Sequence, residues 1–190
     1  MNSSLVKASF VTGLLIFIVS AIPIIFDNEV GFTWLVVYYL PGIIFPMVLI
    51  KYSKKSYDED SVKISPVRAV MFVVVSFAIH LVNCRIALNF ITKTTGFYFA
   101  IPGTTGSVCL FILYFLLINN KFIFSKSLLY FVALGIVSAI FPVIAFLVKT
   151  EFSSIYYANT LHFCFVLLMI PTWMTLFSWS LVKCSRSGEA

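Results

Sequence analysis

The sequence predicts an all-α, polytopic transmembrane bundle of about six helices, within a range of four to six, with both termini on the cytoplasmic side. Three observations predict it. Hydrophobic residues fill 61% of the 190 positions and charged ones only 11%, whereas soluble domains carry roughly 25% charged residues. The apolar residues fall in long runs, and a bilayer core about 30 Å thick needs roughly 20 of them per helix. The basic residues sit at the ends of those runs and favour alternate ends, the pattern that orients membrane proteins. The net charge of +6 forms no basic stripe or domain, so no nucleic-acid partner is expected. The expected partner is the lipid bilayer.

The first run, 6–26, follows a lone Lys7. Val19, Ser20 and Ala21 loosely match a signal-peptidase site, but the run continues from Ile22 to Phe26, longer than a usual signal core, so it is read as a span. The second run, 32–50, follows after the short polar link Asp27 to Gly31, which makes the first two an antiparallel hairpin. Runs at 67–91, 97–118, 128–148 and 160–182 supply the other four. The chain is thus one transmembrane domain, 1–190, with a cytoplasmic loop at 51–66 and a cytoplasmic tail at 183–190.

With the N-terminus inside, ten of the thirteen basic residues fall on the inner side: Lys7, Lys51, Lys54, Lys55, Lys63, Arg68, Lys121, Lys126, Lys183 and Arg186. Only Lys93 and Lys149 fall outside, and Arg85 lies within the third span. Aromatic residues collect near both boundaries, among them Trp34 and Tyr98 outside and Tyr52 and Trp179 inside. The expected location is a bacterial cytoplasmic (inner) membrane.

The third span is the least hydrocarbon-like, with Ser76, His80, Asn83, Arg85 and Asn89 among Val, Phe, Ile and Leu. At 100° per residue Ser76, His80, Asn83 and Ala87 share one face, and Arg85 and Asn89 lie nearly opposite. Arg85 either snorkels to the headgroups or pairs with Glu151, Asp27 or Glu29. His80 and Asn83 either make interhelical hydrogen bonds or contact a ligand. In the fourth span, Pro102, Gly103, Thr104, Thr105, Gly106 and Ser107 form a run that weakens a helix. It is either a broken helix lining a site or pore, or a close-packing face through Gly103 and Ser107, like Gly135 and Ala139 in the fifth. Pro41 with Gly42, Pro102 with Gly103, and Pro171 mark bends in the second, fourth and sixth spans, and Pro142 adds one in the fifth. The third and fourth helices are expected to turn these groups toward protein or a cavity.

The four cysteines include no CxxC pair and are read as packing residues. HExxH, a P-loop and GxGxxG are absent as well. No metal, no cofactor and no catalytic residue is therefore expected. Gly103-Thr104-Thr105-Gly106 ahead of His162 resembles the GxSG serine and later histidine of rhomboid-type intramembrane proteases. Thr105 stands where that serine should be, and small residues are missing after His162, so the resemblance does not imply the family's mechanism.

Three functions fit. The first is a non-enzymatic membrane subunit, a sensor, anchor or effector, that self-associates as a homo-oligomer or recruits a cytoplasmic protein partner. The loop residues Lys54, Lys55, Asp58, Glu59 and Asp60 offer charge of both signs for such a contact. In size and hydropathy the chain resembles small bacterial sensor or effector subunits, including those of anti-phage defence complexes. The second is a small-molecule transporter or its substrate-binding component, and here the chain is similar in size to the substrate-binding subunits of energy-coupling-factor transporters. The third is an oligomeric pore lined by His80, Thr104, Thr105 and Ser107.

Overall fold

A computed structural model describes residues 3–26, 30–56, 64–90, 96–119, 124–151 and 158–186. Among them are eight α-helices and one short 3-10 helix, and no strand. Six spans, Ser4–Phe26, Leu35–Tyr52, Pro66–Ala87, Ala100–Leu117, Lys126–Lys149 and His162–Cys184, are long and apolar enough to cross a membrane. They coincide with the six runs read from the sequence, and they mark an integral, multi-pass membrane protein.

The first three spans belong to α1 (Ser3–Phe26), α2 (Val30–Ser56) and α3 (Pro66–Phe90). α1 exposes Phe10, Val11, Leu15 and Ile22 while burying Leu5, Ile16 and Ile24. A helix apolar on every face suits one side in protein and the other in lipid. α2 carries Pro41 and Pro46 without interruption and continues through Lys54 and Lys55 to Ser56, so the first residues of the loop are helical. α3 begins at a Ser-Pro start. The Arg68 backbone N–H donates to Ser65 Oγ at 3.2 Å, satisfying one of the orphan donors, and Pro66 has none to leave unpaired.

The fourth span is not broken by its Pro/Gly run. A 3-10 helix, Gly96–Phe99, leads into α4 (Ala100–Leu117), which runs unbroken through Pro102, Gly103 and Gly106. Pro102 is the third helical residue, and the N–H groups of a first turn have no intrahelical partner in any case.

The interruptions fall in the fifth and sixth spans. α5 (Phe124–Ser138) and α6 (Ile140–Glu151) are separated at Ala139, and α7 (Ala158–Leu167) and α8 (Met169–Arg186) at Leu168. Each break precedes a proline by three residues. Pro142 has no N–H for the Ser138 carbonyl, and Pro171 has none for that of Leu167. At the first break the Ala139 N–H reaches back only to the Ile136 carbonyl, at 3.1 Å. The bend expected at Pro171 is therefore present, joined by one at Pro142, whereas α2 and α4 stay continuous.

The spans form a ring: α1 packs on α2, α2 on α3, α3 on α4, α4 on α5, α5 on α8, and α8 back on α1. Three glycines allow close approach. A Cβ on Gly135 would run into the Thr104 backbone, and one on Gly103 into Ser138 Oγ and the Gly135 carbonyl, which joins α4 to α5. A Cβ on Gly13 would lie 2.5 Å from Pro171 Cα, which joins α1 to α8. In the half nearer the termini the ring is filled by interlocked aromatics. Phe111 stacks on Phe131 at 4.4 Å between centroids, Phe131 meets Phe177 at 4.7 Å, and Phe177 meets Phe45 at 5.6 Å.

Candidate functional site

In the other half the ring is less completely filled. A cavity of about 120 Å³ lies between α2, α3, α4 and the start of α8. Its walls are apolar in the main, with Pro41, Phe45, Pro46, Ile79, Leu110 and Trp173 among them. Its polar groups come from one face of α3: Ser76, His80, Asn83 and Cys84. Ser76, His80, Asn83 and Ala87, the face read from helical periodicity, line it together. Arg85 and Asn89 are exposed on the opposite side of α3. The Glu151, Asp27 and Glu29 side chains considered as partners for Arg85 lie outside the described residues.

The polar groups of α3 are satisfied in a definite order. His80 Nε2 lies 2.9 Å from the Val37 carbonyl oxygen. A carbonyl only accepts, so Nε2 carries the hydrogen and donates it. That carbonyl is available because Pro41, four residues on, has no N–H to offer it. Gly42 makes room for the ring: a Cβ there would meet His80 Cδ2 at 2.9 Å. Cys84 Sγ lies 3.4 Å from the same nitrogen. Asn83 Nδ2 donates to the Ile79 carbonyl at 2.8 Å, and Asn83 Oδ1 accepts from Thr105 Oγ1 at 2.6 Å. Gly106 sits against this amide, where an added Cβ would lie 3.4 Å from Asn83 Nδ2.

Ser76 is the exception. It is 4% exposed, and its hydroxyl has no hydrogen-bond partner among the described residues. A buried hydroxyl without a partner costs about 1–3 kcal/mol, and its oxygen is closed off from the cavity as well.

The hydroxyls of the fourth span do not line one path. Thr104 packs against Gly135 on α5, and Thr105 bonds Asn83 on α3. Ser107 is fully buried, donates to the Gly103 carbonyl at 2.7 Å and accepts from Trp173 Nε1 on α8 at 2.7 Å. Gly103 and Ser107 thus act as a packing face. His162 lies apart from the cavity: its Nδ1 donates to the Ala145 carbonyl at 2.9 Å, and its ring meets Phe146 edge-on. Thr105 and His162, the pair that resembles a protease dyad, are each bonded elsewhere. The cysteines Cys84, Cys109, Cys164 and Cys184 form no disulfide with one another. Among the described residues no cluster of three His, Cys, Asp or Glu forms a metal site.

The structure thus gathers His80 and Asn83 with Pro41, Gly42, Pro102, Gly103 and Gly106 at one cavity, and leaves Arg85, Thr104 and His162 outside it. Pro142 and Pro171 are buried at the two helix breaks. Lys54 and Lys55 end α2, with their side chains outside the described set, and Asp58, Glu59 and Asp60 lie outside the described residues altogether. Trp173, Phe45, Met169 and Ile170 complete the walls. None of them stood out in the sequence, where aromatic and aliphatic residues in a span read as lipid-facing or core. No family model, curated protein or solved structure matches the chain.

Proposed function

We propose that the chain is a non-enzymatic integral membrane subunit, a sensor or anchor, that couples an intramembrane cavity to a cytoplasmic protein partner. One observation carries the reading: α2 is a single 27-residue helix that lines the cavity with Pro41 and Gly42 and ends beyond its span at Lys54, Lys55 and Ser56. At 1.5 Å per residue it is a rod about 40 Å long. A change at the cavity is thereby carried to the charged loop along one continuous helix, which contains Pro46 on the way. The aromatic filling of the terminal half supports the reading further, because it leaves a pore through a single chain without a path. Self-association remains part of the proposal, through the lipid-facing surfaces of the ring.

Orientation rests on the ten-to-two split of basic residues across the links. Cys184 is 1% exposed and makes a poor reporter, so the accessible position is the end of α2. Ser56→Cys is expected to react with a membrane-impermeant maleimide only after the inner face is opened. Labelling in intact cells would reverse the topology. With that orientation established, Lys54→Glu combined with Lys55→Glu is expected to reduce partner recovery from solubilised membranes about tenfold or more, since like charge across an interface costs several kcal/mol. Unchanged recovery of every co-purifying protein would remove the loop from the interface.

The cavity favours a second reading, a substrate-binding component of a transporter. The mass of the detergent-purified particle separates the two: a protein companion supports the sensor or anchor, and a bound metabolite without one supports the transport component.

A further inference from the structure

The fifth and sixth spans are each clamped on one side of their break and loosely held on the other. We propose that α6 and α7 form one hinged unit, which swings against the rest of the bundle about Ala139 and Leu168 and moves the cavity wall at Met169 and Ile170. The proposal deepens the sensor reading by naming the part that moves, and it rests on that reading only for what the motion signals.

The two breaks share a level. α6 and α7 pack along each other, and the hydrogen bond that His162 Nδ1 donates to the Ala145 carbonyl ties them. Ala145 lies six residues beyond Ala139, and His162 lies six residues before Leu168. At 1.5 Å per residue, each break is thus about 9 Å along its helix from the same bond. The Phe146 ring, edge-on to His162 at 5.3 Å, strengthens the tie. Two joints at one depth define a common axis, about which two bolted helices turn together.

The packing differs on the two sides of each joint. On the side nearer the termini, Gly135 lies against the Thr104 backbone and Ser138 against Gly103, so α5 is fixed to α4 up to the residue before Ala139. Pro171, three residues past Leu168, is fixed to α1, where a Cβ on Gly13 would lie 2.5 Å from its Cα. Beyond the breaks, neither α6 nor α7 contains a glycine. α6 leans on the 3-10 helix, and α7 leans on α1, where Leu167 joins Ala21 and Ile24 in an apolar cluster. Apolar contacts of this kind are exchanged for contacts with lipid at little cost, because lipid tails are as apolar as leucine.

Proline alone does not make a joint, since α2 runs through Pro41 and Pro46. At Ala139 and Leu168 three things coincide: the helix is interrupted, a proline three residues on withholds its N–H from the ladder, and the glycine clamp stops. Hinges are a few element-terminal residues that absorb the backbone change. Met169 and Ile170, the first residues of α8, lie between the Leu168 joint and the Pro171 clamp, and both line the cavity. A swing of α7 therefore turns them while Pro171 holds still.

The test is a distance measurement by pulsed dipolar EPR on the full chain in lipid nanodiscs. The background is Cys84→Ala, Cys109→Ala and Cys164→Ala, with Cys184, 1% exposed, left in place. Spin labels at Leu129→Cys and Leu147→Cys, both exposed positions, report across the Ala139 joint, and labels at Val74→Cys and Leu129→Cys report within the clamped ring. The first pair is expected to give a distance distribution about twofold broader than the second, as a hinge motion requires. Pro142→Ala with Pro171→Ala restores an N–H at both joints and is expected to bring the first width down to the second. Pro142→Ala alone, which leaves the Gly13 contact untouched, is expected to narrow it partway and serves where the double variant does not purify. A first pair as narrow as the second overturns the hinge, as does a width that neither variant changes. The cavity has its own reporter in Cys84, which lines it. With Cys109→Ala and Cys164→Ala in place, its reaction with N-ethylmaleimide is expected to slow about threefold when the joints are stiffened, as the populations shift toward one state. A narrowed distribution with an unchanged Cys84 rate overturns the link to the cavity. All of these readings are made on the chain alone, so they stand or fall separately from partner recovery in the loop variants, which tests the sensor reading.

Discussion

Gly135→Leu is expected to produce the largest loss of stability of any single substitution considered for this protein. A Cβ at this position runs into the backbone of Thr104, both Cα and N. Backbone cannot rotate away as a side-chain tip can, so α4 and α5 must separate. Separation also pulls Gly103 off the Gly135 carbonyl and Ser138, which lie against it. Overpacking costs typically 1–3 kcal/mol where side chains can yield and more where they cannot; here about 3 kcal/mol or more is expected. For a chain of this length, that corresponds to a fall in Tm of about 6–12 °C. Thermal unfolding in detergent measures it. Ile136→Phe, one residue away at a position 54% exposed, is the control and should shift Tm by less than about 2 °C. A Gly135→Leu protein as stable as that control would show that the α4–α5 contact is not close.

Phe111→Ala is expected to have the next largest effect, and its size follows from the solvent. Phe111 is fully buried, stacked on Phe131 at 4.4 Å and on Phe124 at 5.8 Å between ring centroids. In a water-soluble core this substitution costs about 3–5 kcal/mol, part of it the transfer of the ring from water. Here the separated helices remain in lipid, and the transfer contribution largely vanishes. The cavity contribution remains. At about 24 cal/mol per Å³ and a lost volume on the order of 100 Å³, about 2–2.5 kcal/mol is expected. Reversible unfolding in mixed micelles is the measurement. A loss above about 4 kcal/mol would mean that water reaches this layer in the unfolded state.

The limits of the spans were legible because each depends on hydropathy summed over about 20 residues, a quantity that single positions hardly disturb. The polar face of α3 was legible for a related reason. Helical periodicity alone puts Ser76, His80, Asn83 and Ala87 on one side and Arg85 on the other. The fourth span shows what composition conceals. Pro102 looks like a breaker, yet as the third residue of α4 it withholds an N–H that had no acceptor. Pro142 and Pro171 resemble it in sequence and lie deeper within their spans, where the missing N–H does interrupt the ladder. Position relative to the helix start accounts for Pro102, but depth in a span does not by itself break a helix, since α2 continues through Pro41 and Pro46; the 3-10 helix that sets the start of α4 carries no strong sequence signal. Trp173 was illegible for a different reason. Its partner Ser107 lies on another span, and no pattern within one helix reports a hydrogen bond to another.

The bond from His80 to the Val37 carbonyl has a consequence for how this sequence can change over generations. Pro41 frees the carbonyl and His80 occupies it, so the two positions hold one bond between them although they belong to different helices. A residue with an N–H at 41 would share the carbonyl, which has two lone pairs, and so compete with the imidazole for it. Loss of the imidazole alone would strand the carbonyl, at about 1–3 kcal/mol for a buried group without a partner. Either single step passes through a less stable ancestor, and the joint step does not. Descendants of this chain are therefore expected to keep both residues or to have exchanged both. A folded relative with His80 retained and a residue other than proline at 41 would show that the two are inherited independently.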